Sequence, residues 1–262
     1  MNMMTPHKPK NQTRDHKDTI NERAKKEIER FRKMARGVEP RQCSICGYFG
    51  KFTAFGNPPR IDAHCAGCGS LERHRLYALM IEREAPFGPQ DAVLHFAAEH
   101  HLRKLVKPVV ARYETAEIRA STNPTHVLNI EAIDLPDSQY DAVICNHVLE
   151  HVDDAKALRE MLRVLKPGGK AYLTTPVVEG WAQTYENSEI DGQAARTLHF
   201  GQLDHVRMFG RDIRDRIIAA GFELREYVAT EPDVHIYGLM RGETIFIATR
   251  PQNTASKEPA NG

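Results

Sequence analysis

Apolar residues recur at three- to four-residue spacing from about Asp15 to Arg36, where Ile20, Ala24, Ile28, Phe31 and Ala35 stand amid Lys, Arg and Glu. That spacing predicts an amphipathic helix with one narrow apolar stripe, packed on the body of the protein. A second such pattern, Leu71, Leu76, Leu79 and Met80, follows Ser70 as a candidate N-cap. It predicts a helix to about Arg83, ended by Pro86-Phe87-Gly88-Pro89. After Pro89 the period alternates. Strand-like runs fall at Ala92 to Phe96, Arg112 to Ile118, Val127 to Ile130, Asp141 to Cys145 and Ala171 to Thr175. Helix-like stretches run from Glu99 to Lys107 and from about Leu149 to Leu165, the second stopped by Lys166-Pro167-Gly168-Gly169. A long irregular stretch reaches Asp204, a helix over about Arg211 to Ala220 closes on Gly221, and strands Phe222 to Val228 and Glu243 to Thr249 follow. Alternating strands and helices predict an α/β fold, with a largely parallel sheet covered on both faces and ligands at the carboxyl ends of its strands.

Composition bounds this picture. The chain has 262 residues, enough for one ordinary α/β domain and one small module. Residues 1–40 are expected to be a flexible arm and the amphipathic helix, 41–85 a ribbon and connecting helix, 86–250 the main domain and 251–262 a disordered tail. A formal net charge of +1 points to no nucleic-acid, membrane or acidic partner. No apolar run approaches the roughly 18 to 20 residues of a membrane span, and the polar start is unlike a signal peptide, so a cytoplasmic protein without a membrane partner is expected.

Four of the five cysteines form two matched knuckles, Cys43-Ser-Ile-Cys46-Gly and Cys65-Ala-Gly-Cys68-Gly. Two such pairs flanking a small hairpin are the pattern of tetrahedral thiolate coordination, and Gly47 and Gly69 permit the tight turns. Cys43, Cys46, Cys65 and Cys68 are therefore the expected ligands of one zinc ion. Four thiolates leave no open position, which makes that zinc structural.

The run Tyr140-Asp-Ala-Val-Ile-Cys-Asn-His-Val-Leu-Glu-His-Val152, followed by Leu162-Arg-Val-Leu-Lys-Pro-Gly-Gly-Lys170, resembles the class I S-adenosylmethionine-dependent methyltransferases over roughly Asp91 to Arg250. Cys68-Gly-Ser-Leu-Glu-Arg-His-Arg75, Val93-Leu-His-Phe-Ala97, Phe200-Gly-Gln202 and Asp204-His-Val-Arg207 make the whole chain look like a bacterial branch bearing a zinc ribbon. The resemblance implies a Rossmann-like, mostly parallel seven-stranded sheet and S-adenosyl-L-methionine as cofactor. It places the methionine end of the cofactor on the turn His95-Phe96-Ala97-Ala98-Glu99, where the glycines usual in the family are absent. Glu117, ending the second strand, takes the place of the ribose-binding carboxylate. Asn129 and Ile130 fall beside the adenine, and Asn146, ending the fourth strand, joins the cofactor contacts.

Methyl transfer asks a protein mainly to align the acceptor and exclude water, with a base where the acceptor must lose a proton. Among thirteen histidines His147 ranks first as that base, because it directly follows the fourth strand. His205 is the second catalytic candidate. His199, Gln202, Asp204 and Arg207, in the irregular stretch, are candidates for the acceptor wall. The reaction expected is methyl transfer to a small-molecule or saccharide-type acceptor. An RNA-directed enzyme using the ribbon is a second reading, weakened because Arg41, Lys51, Arg60, Arg73 and Arg75 are scattered rather than striped. A non-catalytic binding scaffold is a third. Acceptor identity and oligomeric state are not legible in the sequence.

Overall fold

The computed structural model of the protein describes residues 22–28, 30, 31, 35, 37–56 and 58–252. The expected N-terminal arm and nearly all of the expected tail lie outside the described residues. Those from 22 to 31 that are described are helical, but Ile28 and Phe31 are 51% and 58% exposed, so the expected stripe does not pack as a core face.

Two compact units emerge. One holds the described residues up to Arg75 together with Pro232–Met240; the other holds Leu76–Glu231 and the described residues from Arg241 onward. The first is built of two antiparallel ribbons, β1 (Arg41–Gln42) with β2 (Phe49–Gly50) and β3 (Thr53–Phe55) with β4 (Arg60–His64). Its apolar centre is small, with Phe52 buried beside Cys43 and Cys65. Arg75 is fully buried in this unit and donates to the carbonyls of Asp62, Ala63, Ser70, Tyr237 and Gly238. A guanidinium with five fixed donors can bind several carbonyls at once, and here it ties residues 232–240 to the ribbon. Sequence spacing gave no hint that this late segment belongs there.

Helix α1 (Glu72–Glu84) starts two residues after Ser70. Its first turn is capped by a bond from the Leu71 N–H to His74 Nδ1, while the Ser70 hydroxyl, the expected cap, sits 3.4 Å from Cys43 Sγ.

The second unit is built on a seven-stranded sheet. Its strands are β5 (Ala92–Phe96), β6 (Arg112–Glu117), β7 (His126–Val127), β8 (Tyr140–Asn146), β9 (Leu165–Thr174), β12 (Glu223–Val228) and β13 (Thr244–Thr249), in the spatial order β12-β13-β9-β8-β5-β6-β7. Only β13 runs against its neighbours. The order leaves β5 in one direction through β6 and in the other through β8, so the carboxyl ends of β5 and β8 flank the switch point where such sheets bind ligands.

One sheet face carries Leu94, Phe96, Val143, Cys145, Ala171 and Leu173, buried against helix α3 (Asp154–Val164) and helix α5 (Ile213–Ala219). Each large side chain buried there is worth about 1.5–3 kcal/mol, and the apolar spacing of Leu158, Met161 and Val164 supplies the matching helix face. Cys145, outside the knuckles, lies in this core, where burial pushes its thiol pKa up.

Three local expectations change. The helix expected from Leu149 is broken: a single turn, Leu149–His151, is followed by extended Val152 and by α3, whose N-cap Asp153 accepts from the Lys156 N–H at 3.1 Å. Lys166-Pro167-Gly168-Gly169 is part of β9, at a bulge against β8; a β-carbon on Gly169 would lie 2.8 Å from the Lys166 carbonyl. The irregular stretch contains helix α4 (Gln193–Phe200, after α3 and before α5) and an antiparallel pair, β10 (Tyr185–Glu186) with β11 (Arg207–Met208).

Candidate active site and cysteine cluster

In the ribbon, each knuckle closes on a backbone bond, Gly47 N–H to the Cys43 carbonyl and Gly69 N–H to the Cys65 carbonyl. The turns need left-handed backbone, and glycine supplies it at φ 73° and 79°. The four sulfurs converge: Cys43 and Cys68 are 3.7 Å apart, Cys46 and Cys65 3.8 Å. Sulfurs at about 2.3 Å from one ion in tetrahedral array stand about 3.8 Å from each other, so the spacing fits zinc. Burial alone would raise the Cys43 thiol, but the Ser70 hydroxyl and the backbone N–H groups of its own knuckle bring it down to about 7. Burial pushes the Cys46 thiol up to about 12 and raises Cys65 as well, so this soft sulfur donor set suits zinc, whose binding displaces the thiol protons.

In the sheet unit, β5 ends in the glycine-free turn. Ala97 adopts φ 49° and donates to the Ala116 carbonyl at 3.1 Å, so an alanine takes the left-handed conformation that a glycine would otherwise supply. Glu99 is the N-cap residue of helix α2 (His100–Val106, between α1 and α3) through its backbone, with Arg103 N–H on its carbonyl. His95 is wholly buried and pairs through Nδ1 with the Tyr113 hydroxyl at 2.6 Å. Burial drives its pKa down to about 4, against the pull of Glu99, so its ring is neutral. Phe96 lies in the core.

Asn146 at the end of β8 is also buried; its side-chain oxygen accepts from Tyr77 at 2.7 Å and Thr174 at 3.0 Å. Both Asn146 Nδ2 and His95 Nε2 are buried without a partner among the described residues. Two orphaned polar atoms on adjacent strands at the switch point are what a polar ligand would satisfy. Glu117 is half-buried at the end of β6, and burial raises its pKa. Asn129 is exposed and accepts from the Glu131 N–H at 3.0 Å, while Ile130 is buried. These residues fit an adenosyl cofactor: small side chains at the turn, a carboxylate on the neighbouring strand, and orphaned donors or acceptors between them.

The histidines meet at a residue to which the sequence reading assigned no role. Glu150, 2% exposed, lies on the single turn after β8 and accepts from the Thr175 hydroxyl at 2.9 Å. His147, at φ 52°, places Nδ1 3.3 Å from the other Glu150 oxygen, and its Nε2 is buried with no partner. Burial would raise the Glu150 pKa, but the hydrogen bond and charge of His147 outweigh it and hold the carboxyl below its ordinary range. His205 is buried on the same carboxylate, with a donor atom of Glu150, His151 and His205 within 4.8 Å of one another. Its ring stands edge-on to His151, 4.7 Å between centroids. Desolvation lowers the His205 pKa even though Glu150 pulls the other way. The Val206 N–H to the Glu150 carbonyl, at 2.9 Å, brings this distant segment in. The signal for Glu150 was the acid in Leu-Glu-His, followed by a turn rather than a helix.

The remaining wall candidates separate. His199, Gln202 and Asp204 are exposed; His199 pairs with the Tyr185 hydroxyl at 2.7 Å, and Asp204 contacts His151 at 3.6 Å. Arg207 is buried and committed to an ion network. It binds Asp154 at 2.9 Å and Glu186 at 2.8 Å, and donates to the Val152 carbonyl at 2.6 Å. Its flank borders a cleft of about 580 Å³ that also meets Glu186, Asn187 and Arg196.

Residues 104–173 match a family described as methyltransferase domain. A demethylmenaquinone methyltransferase of Corynebacterium urealyticum is 32% identical over 130 residues, 45% of this chain and 56% of that protein. A ubiquinone/menaquinone biosynthesis C-methyltransferase of Escherichia coli is 39% identical over 62 residues, 22% of this chain and 25% of that one. This chain thus spans little more than half, or less, of the curated relatives it matches. Among solved structures, the Burkholderia thailandensis 1,6-didemethyltoxoflavin-N1-methyltransferase aligns over 68% of this chain and 77% of its own at 14% identity, with a TM-score of 0.44. Among the described residues no helix is long and apolar enough to cross a membrane.

Proposed function

We propose that this chain, which belongs to the class I S-adenosylmethionine-dependent methyltransferases, transfers a methyl group to a small-molecule or saccharide-type acceptor at the carboxyl edge of its sheet. The observation that carries the reading is the convergence of His147 and His205 on the buried Glu150 carboxylate beside the switch-point strands. S-adenosylmethionine supplies an electrophilic methyl group on a sulfonium centre. Glu117 would hold the ribose hydroxyls, Asn129 and Ile130 the adenine, and the Ala97 turn the methionine end. Asn146 and His95 would offer it Nδ2 and Nε2.

His147 is the proton acceptor in this scheme. Glu150 takes a hydrogen bond from its Nδ1, which fixes the tautomer and leaves Nε2 with the lone pair. His205 and His151 close the acceptor side, and His199, Gln202 and Asp204 form its solvent-facing wall. Arg207 supports that wall by anchoring β11 rather than by touching the acceptor. The four cysteines hold a structural zinc, since the ribbon has little apolar core of its own.

Titration calorimetry with S-adenosylmethionine, paired with a search for labelled product after incubation with methyl-labelled cofactor, tests the reading. His147→Ala is expected to lower turnover by about a hundredfold while leaving cofactor affinity within a factor of about two. A protein that does not bind the cofactor would leave only the scaffold reading.

A further inference from the structure

We propose that Glu150, His151 and His205 form a second metal site, which takes a divalent first-row ion such as zinc, iron(II) or manganese(II) and is separate in kind from the thiolate cluster. One carboxylate and two imidazoles make a mixed N/O donor set suited to such ions, and three protein ligands leave positions open for a bound molecule. The donor atoms lie within 4.8 Å of one another. Ligands at about 2.0–2.2 Å from an ion stand about 3–3.5 Å apart, so binding an ion draws the three donor atoms closer together.

The second observation is His205 itself. It is 4% exposed, and its Nδ1 is buried without a partner among the described residues. An imidazole nitrogen buried beside a carboxylate and left bare is satisfied by a proton shared with that carboxylate or by a cation between them.

The contacts around the three residues are those that orient metal ligands. Thr175 donates to one Glu150 oxygen at 2.9 Å, and His147 Nδ1 lies 3.3 Å from the other. His151 Nδ1 can only donate to the Asp204 carbonyl at 3.2 Å, which leaves its Nε2 with the lone pair. Glu150 and His151 thus have outer contacts that fix their orientation. Under the methyl-transfer reading proposed above, the open positions would bind an acceptor through two neighbouring oxygens and acidify one of them.

Cobalt(II) titration of the full chain tests the site without cofactor or acceptor. Two equivalents are expected, one at each cluster: the first with intense thiolate charge-transfer absorption, the second with weak visible bands and no thiolate contribution. His205→Ala and His151→Ala should each weaken the second equivalent by at least about tenfold, the least expected from disturbing even an outer contact, and keep the first. Amide-exchange protection over residues 140–146 reports folding of the sheet unit in every variant, and Glu150→Gln, which keeps the shape, serves where an alanine variant loses it. A wild-type protein that takes only the thiolate-bound ion, or histidine variants that keep the second, would overturn the proposal. Failure to bind S-adenosylmethionine would sink the methyl-transfer reading and leave these outcomes unchanged.

Discussion

At each cysteine knuckle the chain turns through left-handed backbone at a glycine, Gly47 and Gly69. At the carboxyl edge of the sheet the same kind of turn is made by Ala97 at φ 49° and His147 at φ 52°. The left-handed conformation disfavours a residue with a β-carbon by about 1–2 kcal/mol. In the ribbon the turn residue carries no chemistry, because the sulfurs come from the residues around it, and glycine is the least strained choice. At the sheet edge the turn residue is itself the group of interest: His147 leaves β8 with its ring on Glu150 only because its own backbone bends there. Strain held at such a position by the surrounding structure is a recurrent feature of functional sites.

The comparison breaks first at the ribbon. The ribbon centres on Cys43, Phe52 and Cys65, too little to fold without the proposed zinc, whereas the sheet unit has a core of its own. Zinc contributes about 10–16 kcal/mol in small modules that depend on it. Chelation, or Cys46→Ser, should therefore abolish amide-exchange protection over residues 41–64 and leave residues 140–146 protected. Equal loss in both would mean that the two units are not energetically separable; no loss in either would remove the zinc.

A paired substitution sharpens it. Gly69→Ala forces a β-carbon into left-handed backbone and should destabilise the ribbon by about 1–2 kcal/mol. Ala97→Gly relieves the same strain at the sheet edge, offset by the greater freedom of glycine in the unfolded chain, about 0.4–1 kcal/mol. A gain of up to about 1 kcal/mol in denaturant unfolding is expected there. If Ala97→Gly instead destabilises, the alanine methyl makes contacts that outweigh its strain, and the turns are not equivalent.

The same difference explains what could be read in advance. Cys-x-x-Cys-Gly is local, so the convergence of the four cysteines and both turns were legible from spacing alone. The parallel strands were legible too, since Val93 to Phe96 is apolar but for His95 and Ala142 to Cys145 is apolar throughout, the mark of strands buried on both faces. Glu150 was not singled out, because an acid followed by apolar and charged residues fits the face of a helix. Its role depends on the left-handed turn at His147 and on a segment more than fifty residues away, and neither leaves a periodic trace. Arg207 misled in the opposite sense: in a polar loop it looks available, yet Asp154 and Glu186 claim it. The place of residues 232–240 with the ribbon rests on carbonyls that accept from Arg75, and carbonyls have no sequence signature.

The smallest expected effect lies at the opposite end of the sheet, where the bulge of β9 is held by side chains rather than by a strained turn residue. Lys166 Nζ lies 2.9 and 2.8 Å from the two Asp141 oxygens, and the Ala92 N–H donates to the same carboxylate at 2.8 Å. Partial burial would raise the Asp141 pKa, but the Lys166 ammonium and the Ala92 N–H outweigh it and lower the value below its ordinary place. A carboxyl whose folded-state pKa is depressed contributes stability above its unfolded pKa, near 3.9, and loses it as pH falls through the folded value. Asp141→Asn should therefore be less stable than the parent by a constant amount above about pH 5, with the gap closing toward pH 3. The pair is partly open to solvent, which limits the gap to about 1 kcal/mol. Unfolding midpoints of the two proteins across that range measure it. A gap that persists at pH 3 would assign the effect to the neutral hydrogen bond from Ala92, and the amino end of the sheet would then be held by backbone, as the knuckles are.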